Sequence, residues 1–249
     1  MSEDPLVTVV MPTWNRLPFV EEAVRSVIAQ TYRHWELIVV DDGSTDGTAA
    51  AVADLPVTLI SNPVNLGKGA SLWRGFAVAL AEDADVVVTL DADAQHRPED
   101  IPRLLAAEEA QPGSIVIGAR LWDKGKIPPV RYFGNRFANF WVAWAAGTPV
   151  ADSQSGFRVY PGNFLRNVRV AHGPTARFAF ESEILIEAGR AGVRSVAVPI
   201  AALYPPNSRA SHYRSAVDTA RIVRMIAWKL VIRGFDLPAL MRSLNPAKT

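Results

Sequence analysis

Apolar residues follow two alternating rhythms along the first half of the chain. Short runs rich in β-branched residues, at 6–11, 35–40, 57–61, 85–90 and 114–118, read as buried strands. The first of these ends at Pro12. Between the runs, residues 19–30, 46–53, 68–81 and 98–110 read as helices. In the first helix Val20, Ala23, Val24, Val27 and Ile28 mark one face. Strand and helix alternate through short links. That order implies right-handed βαβ crossovers, and so an α/β fold with a mostly parallel, Rossmann-like sheet flanked by helices. Ligands of such sheets bind beyond the carboxyl ends of the strands, so the polar residues just after each strand are the first candidates for function.

The second half is less regular. Residues 124–131 read as a basic, proline-containing loop, and 136–146 as a helix carrying Phe137, Phe140, Trp141 and Trp144. Residues 182–191 read as a helix, 193–198 as a strand and 216–232 as a C-terminal helix. No repeat, low-complexity tract or linker interrupts this order. The reading is a catalytic unit over 1–215, then an amphipathic helix and tail over 216–249 that packs on the same domain or on a membrane surface.

Composition narrows the picture. A chain of 249 residues with 49% hydrophobic and 20% charged residues can bury one sizeable α/β core. A net charge of +1 gives no bulk electrostatic reason to bind nucleic acid. With no cysteine, disulfides, thiolate metal sites and cysteine nucleophiles are excluded. The N-terminus carries Glu3 and Asp4 without a basic segment, and no apolar stretch reaches the roughly 18 residues of a spanning helix. The expectation is a cytoplasmic protein, peripheral on the cytoplasmic face of a membrane.

Three polar clusters carry candidate chemistry. Asp91-Ala92-Asp93-Ala94-Gln95-His96 follows a strand, and on an extended chain Asp91, Asp93 and Gln95 share one face. Such oxygen donors suit a hard cation, Mg²⁺ or Mn²⁺, which can neutralise a diphosphate leaving group. A solvated turn with a helix cap is the plain alternative. Asp41-Asp42-Gly43-Ser44 follows another strand. A carboxylate there can accept hydrogen bonds from a ribose or base edge, while Ser44 or Asp46 can cap the next helix. Asn65-Leu66-Gly67-Lys68-Gly69-Ala70 opens a helix and can hold phosphate, or simply start the helix. Neither GxxxxGK[ST] nor GxGxxG is present, which speaks against a P-loop or a nicotinamide enzyme.

Taken in order, residues 9–15 (Val-Val-Met-Pro-Thr-Trp-Asn), the Val-Asp-Asp-Gly-Ser-Thr-Asp-Gly-Thr string, Asn-Leu-Gly-Lys-Gly-Ala and Asp-Ala-Asp-Ala-Gln-His resemble family 2 glycosyltransferases of the GT-A fold. Further along, Gly118-Ala119-Arg120, Arg131 with Gly134-Asn135-Arg136, and Asp152-Ser153-Gln154-Ser155-Gly156-Phe157-Arg158 resemble the polyprenyl-phosphate branch, which includes dolichyl-phosphate mannose synthase. Phe180-Glu181-Ser182-Glu183 and Ser211-His212-Tyr213 extend the likeness more weakly.

The resemblance implies roles. Pro12, Thr13, Trp14, Asp41 and Asp42 would hold the nucleotide of a UDP- or GDP-sugar donor, with Lys68 near the nucleotide or its diphosphate. Arg16 stands where the family often has glutamate. Asp93 and Gln95 would ligate Mg²⁺ or Mn²⁺, and Asp91 would contact the ribose or the metal's water shell. Arg120 and Arg131, with Arg136 nearby, would receive a lipid phosphate, which suits the guanidinium fork. Asp152 and Glu183 are open between a general base, an acceptor contact and a structural role; Arg158 is open between ligand and core ion pair. The implied reaction is an inverting, metal-dependent sugar transfer to a polyprenyl phosphate or other lipid-linked acceptor. The alternatives are transfer to a hydroxyl of a saccharide, lipid or pigment, a sugar-phosphate nucleotidyltransferase, and a non-catalytic nucleotide-sugar module. Two segments, 136–146 and 221–233, mix apolar and basic residues as surface-lying membrane helices do.

Overall fold

The computed structural model describes residues 5–17, 19–92, 96–120, 127, 129–170, 179–201 and 215–244. Its strands are β1 (Val7–Thr13), β2 (Trp35–Asp41), β3 (Thr58–Ser61), β4 (Val86–Thr89), β5 (Ile115–Ala119), β6 (Arg158–Pro161) and β7 (Ser195–Pro199). They form one sheet in the order β3-β2-β1-β4-β6-β5-β7. All pairings are parallel except those of β6, which runs antiparallel between β4 and β5.

The central strands read as unbroken apolar runs because the sheet is covered on both faces. Alternate residues go to opposite sides. Val10, Ile38 and Val40 join one cluster with Leu72, Phe76, Phe180 and Ile184. Val9, Met11, Leu37 and Val39 join the other with Val20, Val24 and Leu104. The first layer comes from α3 (Lys68–Ala81), α5 (Pro129–Ala146), α6 (Gly162–Asn167), α7 (Phe180–Arg190) and α8 (Ser215–Val231); the second from α1 (Phe19–Ile28), α2 (Thr48–Val52) and α4 (Ile101–Ala110).

Helix α3 crosses the sheet closely at Gly75, where an added Cβ would lie 2.4 Å from Val10 Cγ1. Gly75→Ala is therefore expected to destabilise by about 1–3 kcal/mol through overpacking, despite alanine's better helix propensity. Chemical denaturation checks the sign.

Several boundaries differ from the sequence reading for identifiable reasons. β1 continues through Pro12 to Thr13, because β4 pairs only as far as Val10; beyond it Pro12 has one strand neighbour, and its missing N–H is tolerated. Helix α2 starts at Thr48, after Gly47 at φ 86°, with Asp46 Oδ1 accepting from Thr48 N at 3.1 Å. Residues 98–110 divide into a 3₁₀ turn, Pro98–Asp100, and α4. Helix α5 begins at Pro129, inside the stretch read as loop, because proline is pre-set for the first helical position. β6, α6 and α9 (Leu237–Leu244) were not read from the sequence at all. β6 spans four residues and contains a fully buried arginine, so no strand pattern marks it.

The C-terminal segment shares the main core. Ile222, Met225, Ile226 and Leu230 of α8 are buried in the cluster that α5 and α7 build. Lys229 pairs with Glu183 at 2.9 Å and Glu187 at 2.5 Å, both on α7.

Candidate active site

Parallel strands deliver their carboxyl ends to one edge, and the candidate residues meet there. Thr13 and Asp41 are neighbours in the β1–β2 register. Both are buried, and Thr13 Oγ1 and Asp41 Oδ1 have no hydrogen-bond partner among the described residues. Buried polar atoms are rarely left so, which marks the pair as a place for a polar ligand. The other Asp41 oxygen accepts from Ser44 N at 3.2 Å. The two exit loops are tied together: Asn15, at φ 50°, donates its N–H to Ser44 Oγ at 2.8 Å, and its side-chain oxygen accepts from Thr45 N at 2.8 Å. Pro12 and Trp14 lie half-buried beside this pair.

Asp42 does different work. Its Oδ1 accepts from Asn62 Nδ2 at 2.8 Å and Leu66 N at 2.9 Å, and its Oδ2 from Gly67 N at 2.8 Å. It thereby fixes the turn that starts α3 and places Lys68.

Lys68 lies at the centre of the edge. Its ammonium is 2.7 Å from Asp91 Oδ1 and 3.0 Å from Glu181 Oε1. Burial alone disfavours the ammonium, but the Asp91 and Glu181 carboxylates more than offset it and hold the lysine pKa above its ordinary value. Burial likewise disfavours the Asp91 carboxylate, yet Lys68 and then His96 bring its pKa below the usual carboxylate value. Gly156 makes this cluster fit. Its carbonyl accepts from Thr89 Oγ1 at 2.7 Å, and a Cβ there would lie 2.4 Å from Asp91 Oδ2. His96 is buried against Phe157, with Nε2 3.9 Å from Asp91. Burial pushes its pKa down to about 4, so the ring is neutral near pH 7.

The antiparallel strand decides the rest. Because β6 runs opposite to its neighbours, its amino end, with residues 152–157 before it, lies at the edge where the parallel strands finish. Asp152, fully buried, meets Arg120 just after β5: its Oδ2 accepts from Arg120 N and Nε, both at 3.2 Å. Gln154 N also donates to Asp152 Oδ1 at 3.2 Å. From α5, Asn139 holds this loop through Ala151 O at 2.6 Å and Ser153 N at 2.9 Å. Arg158 is a core residue, donating to the carbonyls of Ser155, Glu181 and Ser153 at 2.8, 2.7 and 2.8 Å.

The structure thus brings together Pro12, Thr13, Trp14, Asp41, Asp42, Lys68, Asp91, Arg120 and Asp152. Asp93, Gln95 and His212 lie outside the described residues, as does the side chain of Arg131, whose backbone falls in the first turn of α5. The neighbours that flank the metal candidates, Ala92 and His96, are both buried. No cluster of three or more metal-ligating side chains occurs among the described residues. Arg136 is exposed, with its guanidinium 5.8 Å from the Tyr132 ring. Glu183 pairs with Lys229, and Glu181, two residues earlier, reaches Lys68 instead. Residues two apart on a helix point to different sides, so only one of the two can serve this edge. Glu181, Gly156 and Asn139 were not singled out from the sequence. The Phe-Glu-Ser-Glu string marks the neighbourhood of Glu181, but the sequence reading weighs Glu183 there, whereas the structure turns Glu181 to Lys68.

An open α/β sheet with an Asp-Asp turn, a lysine between two carboxylates and an acidic strand end at its carboxyl edge is the arrangement of a GT-A glycosyltransferase domain. The chain belongs to glycosyl transferase family 2, which it matches over residues 8–171. It is 28% identical to an undecaprenyl-phosphate mannosyltransferase of Micrococcus luteus, covering 94% of this chain and 98% of the relative. It is also 28% identical to a UDP-N-acetylglucosamine–dolichyl-phosphate N-acetylglucosaminyltransferase of Methanococcus voltae, covering 91% and 97%. The glucosyl-3-phosphoglycerate synthase of Mycobacterium tuberculosis, solved with Mn²⁺, UDP and glucosyl-3-phosphoglycerate, shares the fold with a TM-score of 0.61 at 22% identity, over 98% of this chain and 82% of that one. No helix among the described residues is long and apolar enough to cross a membrane.

Proposed function

We propose that this enzyme transfers a sugar, with inversion, from a nucleoside diphosphate donor to a polyprenyl phosphate or other lipid-linked phosphate. The observation that carries the reading is the state of its two candidate bases. Asp152 is fully buried and bonded to Arg120, and Glu183 is fully buried and bonded to Lys229. A hydroxyl acceptor needs a base at the reacting oxygen; a phosphate arrives already ionised and needs a cation to orient it. Arg120, held in place by Asp152, meets that second need.

Thr13 Oγ1 and Asp41 Oδ1 receive the nucleoside, and Lys68 faces the diphosphate. Asp93 and Gln95 would hold Mg²⁺ or Mn²⁺; the hard oxygen donors of this segment fit such an ion, which when bound supplies charge neutralisation at the diphosphate. The acceptor phosphate oxygen forms the new bond to the anomeric carbon as the bond to the donor β-phosphate breaks. The bonding pair leaves on that phosphate, and no proton needs to move. Lys68 offsets the charge that develops there. The relatives' names support the acceptor class, and they differ in sugar.

The direct test is release of nucleoside diphosphate from UDP- and GDP-sugars with a polyprenyl phosphate and Mn²⁺. Release that requires the lipid phosphate, and stops with a chelator, is the expected result; release with saccharide hydroxyls instead would refute the acceptor. Asp152→Asn gives a second check. As a positioning change it is expected to lower kcat/KM about tenfold by loosening Arg120, leaving the shape of the pH profile intact. Loss of the acidic-limb titration together with a 10³-fold or greater fall would make Asp152 the base.

A further inference from the structure

We infer that α5, α8 and α9 present one docking face for an anionic lipid bilayer. α8 is apolar on both sides. Ile222, Met225, Ile226 and Leu230 face the core, while Val223, Trp228 and Val231 are exposed, Trp228 by 57%. α9 repeats the arrangement: Ala239 is buried, and Leu237, Met241 and Leu244 are exposed, Met241 by 69%. Each helix thus turns apolar residues to solvent as well as to the core, and exposed apolar surface of this kind marks an interaction site.

The exposed parts are neighbours. Trp144 Nε1 of α5 donates to Asp236 O, before α9, at 3.0 Å. Ring contacts run from exposed Phe137 to Trp141 at 6.0 Å, Trp141 to Trp144 at 5.5 Å, and Trp144 to exposed Phe235 at 5.9 Å. Phe140, also exposed, joins Trp141 at 5.2 Å. The surface therefore continues from α5 across the turn between α8 and α9.

Charge selects the occupant. Arg136, Arg224 and Arg233 are exposed among these apolar residues. Residues 129–146 contain no carboxylate, and residues 215–244 contain two, Asp218 and Asp236. Asp218 is buried and bonded to Arg221 at 3.0 Å. Asp236 accepts from Ala239 N at 3.0 Å and lies 3.8 Å from Arg242. A second copy of this face would set arginines against arginines. Anionic headgroups complement them, while Trp, Phe and Met enter the acyl boundary and the arginine stems reach back to the phosphates.

Vesicle flotation tests the inference, using the full chain with phosphatidylcholine alone or doped with phosphatidylglycerol. The vesicles hold no polyprenyl phosphate, so the result is separate from the acceptor reading. The protein is expected to float with the doped vesicles. Trp228→Ser with Met241→Ser should weaken partitioning about tenfold or more, and Arg224→Gln with Arg233→Gln about fivefold per arginine on the anionic vesicles alone. All four positions are exposed, and thermal melts should stay at the wild-type temperature. Wild-type protein left in the soluble fraction, or variants that float equally, would overturn the inference. So would a lipid-free dimer that the Trp228→Ser, Met241→Ser variant dissociates, which would assign the face to self-association.

Discussion

Lys68→Met is expected to lower kcat/KM by about 10²–10³, the usual loss when one charge-stabilising donor is removed from a transition state. The ammonium links Asp91 to Glu181, and in the proposed reading it faces the donor diphosphate. Methionine keeps the length of the side chain and removes its charge, leaving two carboxylates facing one another. Because those carboxylates raise the lysine pKa, the wild-type group stays charged through the pH range of any practical assay. Two measurements separate the site from the fold: turnover per folded molecule, and the rise in melting temperature with UDP or GDP in Mn²⁺. A nucleotide at a hundredfold excess over its Kd stabilises the wild type by about 2.7 kcal/mol, and the variant should lose most of that gain. Gly156→Ala should act in the same direction by geometry alone, since its Cβ would displace Asp91 Oδ2, 2.4 Å away. Wild-type turnover and an unchanged nucleotide shift in Lys68→Met would remove Lys68 from the donor site.

The largest stability effect is expected at Lys229→Met, about 3–5 kcal/mol, the loss on breaking a buried ion pair from one side. Glu183 is fully buried, and its carboxylate would be left without the ammonium 2.9 Å away. Glu187 retains Arg190 at 3.2 Å, so Glu183 is the group that suffers. At about 2–4 °C per kcal/mol for a chain of this size, the melting temperature should fall by roughly 6–20 °C. Turnover per folded molecule should persist, because the pair lies between α7 and α8 rather than at the strand ends. Replacing both partners, Glu183→Leu with Lys229→Met, should restore most of the loss, since apolar residues of similar volume often serve as well as a buried pair. A single variant that melts within 2 °C of wild type would show that Glu183 is not held as a charge.

The two variants probe different depths of legibility. Lys68 could be picked out from the sequence because a Gly-Lys-Gly turn at a helix start is a local signal. Glu181 could not, although it binds the same ammonium, because its partner lies 113 residues away. The pairing of Lys229 with Glu183 was hidden for the same reason: each residue reads alone as a charge on an amphipathic helix. Arg158 was legible only as a pair of alternatives, and its four hydrogen bonds make it the brace between the loop before β6 and the start of α7.

Local periodicity determined the alternating elements of the first half, the parallel character of the sheet, and the rule that polar residues after its strands share one edge. These features need only the spacing of apolar residues and the handedness of the crossover. Tertiary structure alone decided that β6 enters antiparallel between β4 and β5 and carries Asp152 to Arg120. It also decided which of two glutamates on α7 reaches Lys68, and that α9 joins α5 and α8 in one exposed apolar face. Strand order and helix packing set distances between residues far apart in the chain, and no pattern of near neighbours encodes them.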